Sequence, residues 1–190
     1  MALNDKLKWD KKYQNTPTLL QQREPSQKLV QVVEKAKGKK ALEVACGAGR
    51  NSIYLAKQGF EVEALDISQI ALDTLESQGY KNITTKLIDL DNYTPVVNSY
   101  HLIVMTNFLD RTLIPKLAQA LVKNGILLIE TYMEDEENTK PSSNPDFLLT
   151  QGELKLFFDD SFETLEYDEF QNESFELYRM MKQSIIVRKL

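Results

Sequence analysis

Short apolar runs alternate with helix-like segments along the chain between Lys40 and about Thr131. The apolar runs have the length of strands, whereas the segments between them repeat their apolar residues with the period of a helix. This alternation is typical of a parallel sheet that is covered by helices on both faces. We therefore expect an α/β fold, a Rossmann-like sandwich of three layers.

The same pattern gives approximate bounds for the elements. A first helix is predicted in "PSQKLVQVVEKAKG", and three more are predicted from about Arg50 to Gln58, from an N-cap at Ser68 to Gly79, and from about Leu113 to Lys123. The predicted strands are Lys40 to Ala45, the run "FEVEALD", and the stretches "NITTKLIDL", "YHLIVMTNF" and "ILLIETY". Glycines end several of the helices, as expected for C-terminal caps.

The sequence after Tyr132 has a different character. Residues 133–149 are polar and contain prolines, which predicts a mobile flap. Thr150 and Glu153 fit a capping box, which predicts a short helix that buries Leu154, Phe157 and Phe158. The two β-like runs "FETLEYDEF" and "ELYRMMKQSIIVRKL" are separated only by "QNES", so they should pair as an antiparallel hairpin.

Composition excludes several classes of protein. The chain has 190 residues, 42% of them hydrophobic, and we expect a single domain over 1–190. Its formal net charge of −5 argues against nucleic acid as a partner. With one cysteine, no apolar span and no signal-like start, we expect a cytoplasmic protein with no disulfide, no metal cluster and no membrane partner.

The stretch "ALEVACGAGRN" joins the first predicted strand to a helix through a glycine turn. Gly47 and Gly49 fit the first two places of G-x-G-x-x-G, but Ser52 stands in the third. Glycines allow the backbone to approach a ligand closely, and a helix N-terminus presents free N–H groups. Alone, this match leaves several nucleotide cofactors open.

Two carboxylates favour a nucleoside ligand at this turn. Asp66 lies 19 residues after Gly47, close to the spacing at which a carboxylate receives ribose hydroxyls. Asp89 lies at the end of the third predicted strand, where it could contact an adenine amino group. Either aspartate could instead only cap the turn that follows its strand.

The segments "EVACGAGRNSIYLAKQG", "EALDIS" and "IDLD", together with the terminal hairpin, resemble motifs of class I S-adenosylmethionine-dependent methyltransferases. The form "CGAGRN" is similar to that of small-molecule methyltransferases related to tellurite-resistance proteins. The resemblance implies a seven-stranded, mostly parallel sheet in the order 3-2-1-4-5-7-6, with S-adenosyl-L-methionine as cofactor. It also implies an N-terminal lid and helix over 1–38, and a monomer or homodimer.

The resemblance also implies roles for individual residues. Glu43 and the Gly47 to Gly49 turn would hold the methionine end of the cofactor, and Tyr13 could close over its carboxylate or, with Trp9, only pack as a lid. The full implied set of cofactor-binding residues is Tyr13, Glu43, Ala45, Gly47, Gly49, Arg50, Asp66, Ile67, Asp89, Leu90 and Asn107.

The acceptor side is expected after strands four and five, where Arg111, Glu130 and Tyr132 are candidates for substrate binding. Arg111 could instead form a surface ion pair. Asp110 is a candidate general base, or the cap of the following helix, and stands where similar proteins more often carry histidine. Without a positioned histidine we expect a small acceptor that is already nucleophilic, such as a thiolate, selenolate or oxyanion.

Two other functions remain open. A non-catalytic protein that binds or senses S-adenosylmethionine would keep the same turn. An NAD-dependent oxidoreductase is disfavoured by the missing third glycine and the terminal hairpin. His101, at the opposite edge of the sheet, and Cys46, inside the turn, are expected to be structural.

Overall fold

Seven strands form one sheet in the computed structural model, which describes residues 2–140, 144–172, 176 and 178–190. The strands are β1 (Lys40–Val44), β2 (Glu61–Asp66), β3 (Ile83–Leu87), β4 (Tyr100–Thr106), β5 (Leu121–Tyr132), β6 (Phe162–Gln171) and β7 (Met181–Lys189). Their order is β3-β2-β1-β4-β5-β7-β6. The pairs among β1 to β5 are parallel, and β7 is antiparallel to both β5 and β6. The expected order and hairpin are therefore confirmed.

Helices cover both faces of this sheet. They are α1 (Ala2–Asn15), α2 (Gln27–Val32), α3 (Arg50–Lys57), α4 (Gln69–Glu76) and α5 (Leu113–Ala120). One apolar cluster joins α2, α3 and α4 to the sheet and contains the fully buried Leu29 and Phe60. A second cluster joins α5 to the opposite face through Leu113 and Leu117. The three layers expected from the alternating pattern are thus present.

The predicted helix over 113–123 is too long, because α5 ends at Ala120. Leu121 already pairs with Tyr100 of β4, and its carbonyl accepts a hydrogen bond from Lys189 Nζ at 2.8 Å. An apolar leucine fits either a helix or a strand, so periodicity alone could not fix this boundary.

The first predicted helix is also shorter in the structure than its apolar residues indicated. α2 stops at Val32 and continues as a 3₁₀ turn over Val33–Lys35. The predicted capping box forms in part: Thr150 donates its N–H to Glu153 at 2.8 Å, but the element that follows is a 3₁₀ helix over Glu153–Phe157. It buries Leu154 fully and the two phenylalanines partly.

Hydrogen bonds tie the described part of the predicted flap to the strands. Asn138 bridges the carbonyl of Met133 and the N–H of Met181, and Glu134 donates its N–H to Leu149. Residues 141–143 of the flap and 173–174 of the hairpin connection lie outside the described residues. Within the part of the chain that the structure describes, no helix is both long and apolar enough to cross a bilayer.

Gly49 makes a testable contribution to this fold. Its φ is +82°, and a Cβ at this position would lie 2.4 Å from Cδ1 of Leu75 in α4. We expect Gly49→Ala to lower the free energy of unfolding by roughly 2–4 kcal/mol, because overpacking is added to backbone strain. Gly79→Ala is the matched control, since Gly79 has φ +75° with nothing within 4 Å of its Cβ position. Equal losses in urea unfolding of the two variants would contradict this account.

Candidate functional site

The turn between β1 and α3 lies at the carboxyl edge of the parallel strands. Ala45, Gly47 and Gly49 have φ values of +53°, +54° and +82°. Only glycine adopts this region without strain, so Ala45 carries a conformational cost of the kind that is common at ligand sites. The N–H of Cys46 donates to the carbonyl of Leu65 at 2.9 Å and thereby fixes the turn against β2.

Asp66, at the end of β2, holds the other side of this turn. Its Oδ2 accepts the N–H of Gly47 at 2.7 Å, and its Oδ1 accepts the N–H of Ser68 at 2.9 Å. Burial raises the pKa of Asp66, and the backbone donors oppose that rise. A carboxylate can accept about four hydrogen bonds, so lone pairs are left for further donors.

Helix α1 lies over the glycine turn. Tyr13 is 8% exposed, and its hydroxyl lies 3.1 Å from the position that a Cβ on Gly47 would occupy. Burial, followed by the charge of Asp66, raises the pKa of the Tyr13 phenol. Asp10 accepts a hydrogen bond from the hydroxyl of Ser68 at 2.6 Å. The structure thus brings Tyr13 to the turn, and it adds Asp10, which the sequence did not single out.

Glu43 lies beneath the turn rather than at its surface. It is 2% exposed and accepts hydrogen bonds from Asn51, at 3.0 Å, and from the hydroxyl of Ser52. Burial raises the pKa of Glu43 to about 7, although its two donors oppose the rise. Asn51 also donates to the hydroxyl of Thr106 at 3.1 Å. This geometry makes Glu43 a residue that positions α3.

Several carboxylates lie in the part of the site where the adenine of the cofactor is expected. Asp89 caps the 3₁₀ turn Leu90–Asn92 by accepting the N–H of Asp91 at 3.1 Å, and Leu90 is buried. Desolvation, together with the negative charges of Asp89, Asp110 and Asp5, raises the pKa of Asp91. Carboxylates from α1 and from two loops therefore influence one another at this edge.

Asp110 and Arg111 are both held by local partners. Asp110 Oδ1 accepts the N–H groups of Thr112 at 2.8 Å and Leu113 at 3.2 Å, which is the geometry of a cap for α5. Arg111 donates to both carboxylate oxygens of Glu153, at 2.6 and 3.1 Å, and to the carbonyls of residues 146 and 148. For each residue, the geometry favours the structural alternative raised from the sequence.

Glu130 and Tyr132, at the end of β5, lie beside a lysine that the sequence did not single out. Lys182 on β7 is fully buried, and its ammonium lies 3.3 Å from Oε1 of Glu130 and 3.3 Å from Oε1 of Glu176. Tyr132 donates its hydroxyl to Glu176 at 2.7 Å. Ser26 donates to the other oxygen of Glu130 at 2.5 Å. In the sequence, the only sign of this ion pair is that Glu130 and Lys182 lie on two predicted strands, β5 and β7, which pair in the structure.

The remaining predicted residues lie around the same edge. Asn107 is exposed, has φ +56°, and donates its N–H to the carbonyl of Glu130 at 2.8 Å. Ile67, directly after β2, and Arg50, directly after the glycine turn, are both half-buried. His101 packs against Gly38 at the far edge, and burial raises the pKa of the Cys46 thiol well above its usual value. Both positions fit the structural roles expected of them.

Comparison with known proteins identifies the family. The family model described as "Tellurite resistance protein TehB" matches residues 1–184. The chain belongs to the TehB family. Two curated TehB proteins of Haemophilus influenzae, from strains 10810 and KW20/Rd, are each 31% identical to it over 144 residues. Each is described as "Probable S-adenosyl-L-methionine-dependent methyltransferase TehB".

The alignment covers 70% of this TehB-family chain and 49% of each curated relative, so the chain spans about half their length. The crystal structure of TehB from H. influenzae superposes with a TM-score of 0.74 at 26% identity, covering 86% of this chain and 62% of that one. A Methanosarcina mazei structure described as an S-adenosylmethionine-dependent methyltransferase has a TM-score of 0.68 at 17% identity. The superposition covers 88% of this chain and 99% of that one. The latter likeness shows the fold alone.

The TehB-family site is therefore an acidic, glycine-lined edge. Among the described residues, no group of three or more His, Cys, Asp or Glu side chains is arranged to hold a metal ion. The polar side chains at this edge instead form two groups, one around Asp66 and one around Glu130. Asn51 joins the Glu130 group to Glu43 beneath the turn, since its Oδ1 accepts the N–H of Ser26 at 2.9 Å and its Nδ2 donates to Glu43 at 3.0 Å.

Glu43 predicts a pH dependence of stability. Its pKa is about 7 in the folded chain against a usual value of 4.5, so the folded state holds the proton more tightly. Stability from this group is present below about pH 4.5 and is lost as the pH rises through about 7, a loss of roughly 3 kcal/mol. Glu43→Gln should lack this component in urea unfolding followed across that range. Parallel stability curves for the two proteins would refute the assignment.

The capping role of Asp110 predicts different effects for two substitutions. Asp110→Ala should lower the free energy of unfolding by about 1 kcal/mol, since the N–H of Thr112 loses its acceptor and that of Leu113 keeps only the backbone carbonyl of residue 110. Asp110→Asn keeps an acceptor oxygen and should stay within about 0.5 kcal/mol of the parent chain. Thermal and urea unfolding measure both. An alanine variant as stable as the asparagine variant would exclude the cap.

Proposed function

We propose that the chain catalyses methyl transfer from S-adenosylmethionine to a small-molecule acceptor. The observation that carries the proposal is the glycine turn held between Asp66 and Tyr13 at the carboxyl edge of the sheet. Membership of the TehB family supports it, because curated relatives in that family bear the name of such a methyltransferase. The formal net charge of −5 favours a small acceptor over nucleic acid.

The residues present fit this cofactor. A Cβ at Gly47 would stand against the hydroxyl of Tyr13, so the turn forms a cradle that only glycine leaves open. Asp66 keeps lone pairs for ribose hydroxyls, and Asp89 with Leu90 would hold the adenine. When bound, S-adenosylmethionine supplies a methyl group attached to a sulfonium sulfur. That sulfur is an excellent leaving group, because it departs as a neutral thioether. The acidic edge suits its net positive charge.

The chain's own residues then act mainly by positioning. Asp66 and the turn fix the nucleoside end, while Tyr13 covers the turn and excludes water. Glu43 and Asn51 hold α3 and link the turn to Ser26 and Glu130 on the acceptor side. Asp110 is engaged as a helix cap, so we assign no general base. The acceptor must therefore arrive as a nucleophile or lose its proton to a group elsewhere in the pocket.

A protein that only binds S-adenosylmethionine would share this cofactor edge. Such a protein would transfer no methyl group from labelled S-adenosylmethionine to any acceptor in a panel of thiols, amines, selenite and tellurite. The NAD alternative is disfavoured further by Ser52, which occupies the third glycine place and donates its hydroxyl to the buried Glu43.

Asp66 provides the direct test of the cofactor site. We expect Asp66→Ala to weaken S-adenosylhomocysteine binding by about 10- to 100-fold, since hydrogen bonds to a charged group contribute roughly 1.5–3 kcal/mol. Asp73→Ala, an exposed position on α4, is the control and should bind normally. Isothermal titration calorimetry measures both. Unchanged affinity in a folded Asp66→Ala variant, or NAD binding in place of S-adenosylhomocysteine, would overturn the proposal.

A further inference from the structure

A cavity of about 260 Å³ lies between α2 and the strands β5, β7 and β6. One wall comes from α2, and the other side comes from the ends of β5 and β6 that lie at the carboxyl edge of the parallel strands. The principal lining residues are Gln27, Lys28, Gln31, Glu130, Asp168 and Phe170. The cavity therefore adjoins the acceptor side of the proposed active site, through Glu130.

A row of polar side chains crosses the face of the sheet on which this cavity lies. Ser184 of β7 pairs in register with Glu130 of β5 and with Asp168 of β6, so the three side chains share one face of the sheet. Ser184 is 1% exposed, and its hydroxyl has no hydrogen-bond partner among the described residues. Glu130 and Asp168 reach the cavity from this row, whereas the Ser184 side chain between them is covered.

Carboxylates outnumber cations around the cavity. Lys28 is bound to Glu166 and, at 2.7 Å, to Asp168, while Lys182 lies 3.3 Å from both Glu130 and Glu176. Each lysine is thus shared between two carboxylates. Among the described residues that line the cavity, Glu130, Asp168 and Lys28 give a formal charge of −1. An anionic ligand would therefore enter a space whose lining already carries net negative charge.

Phe170 adds an aromatic face to the same cavity. The ring is half-buried and pairs with Lys182 across the β6–β7 register. The ammonium of Lys28 already lies 5.1 Å from the centroid of this ring. An aromatic face beside carboxylates is an arrangement that favours an organic cation.

From these features we propose that the cavity binds a small organic amine in its protonated, ammonium form, and that such an amine is the methyl acceptor. The identity as acceptor rests on the methyl-transfer function proposed above. The binding site itself rests on the cavity, the net negative charge of its lining and the ring of Phe170. The inference departs from the thiolate, selenolate or oxyanion expected from the sequence, because anions of these classes would meet the excess carboxylates.

A bound ammonium must lose one proton before its nitrogen can accept a methyl group. Asp168 is suited to receive that proton, because Lys28 binds its Oδ2 while no described residue binds its Oδ1, and because its side chain, 44% exposed, links the cavity to solvent. Glu130 is less suited, because its two oxygens are bound by Ser26 and Lys182.

Benzylamine and benzoate are a matched pair of probes, similar in size and opposite in charge. Calorimetry on the full chain should show saturable benzylamine binding and at least 10-fold weaker benzoate binding. Asp168→Asn should weaken benzylamine binding by at least 10-fold. Glu163→Gln should leave it unchanged, since Glu163 lies on the same strand but outside the cavity lining, where it pairs with Arg188.

Three results would overturn the inference: preference for benzoate, no binding of benzylamine at millimolar concentration, or unchanged affinity in Asp168→Asn. Thermal unfolding of each variant checks its fold, and Phe170→Leu gives a second test, with an expected loss of about 3- to 10-fold in benzylamine affinity. Titration with S-adenosylhomocysteine separates the two proposals. If it binds while benzylamine does not, only the cavity assignment fails. If benzylamine binds and S-adenosylhomocysteine does not, the methyl-transfer function fails.

Discussion

The buried carboxylate of Glu43 is the constraint on which the cofactor edge depends. A charged group without water must be hydrogen-bonded, and Glu43 obtains its donors from Asn51 and Ser52 in the first turn of α3. Those bonds fix the start of the helix relative to β1, and hence the path of the glycine turn between them. Asp66 then only has to accept one N–H of a turn that is already in place.

The same network extends across the sheet. Asn51 contacts both Thr106 of β4 and the backbone of Ser26, and Ser26 contacts Glu130 of β5. Polar groups on three adjacent strands are therefore satisfied by one asparagine and one serine. A buried network of this kind is stable only when it is complete, so a change on the acceptor side also affects the residues beneath the cofactor turn.

Much of this arrangement could be predicted from the residues. The alternation of "EVEALD" and the glycines after several of the helices indicate the βα units, and a strand that ends in Gly-x-Gly indicates where the site lies. The role of Lys182 could not be predicted, because its partners become neighbours only once β7 lies beside β5. Helix α1 was missed for a related reason. Its sequence is strongly polar, and although the family resemblance implied a role for Tyr13, that of Asp10 depends on α1 packing over α4.

The position of β7 has a consequence for the order in which the chain folds. β7 follows β6 in the chain but separates β6 from β5 in the sheet. During synthesis, β6 therefore emerges before it has any strand to pair with, and β5 waits with one edge open. Local α/β units can form early, whereas this part of the sheet must wait for a distant segment. Until β7 is inserted, Glu130 lacks its buried lysine and two strand edges are open to other chains, so this late step is where a nascent chain is most exposed to aggregation.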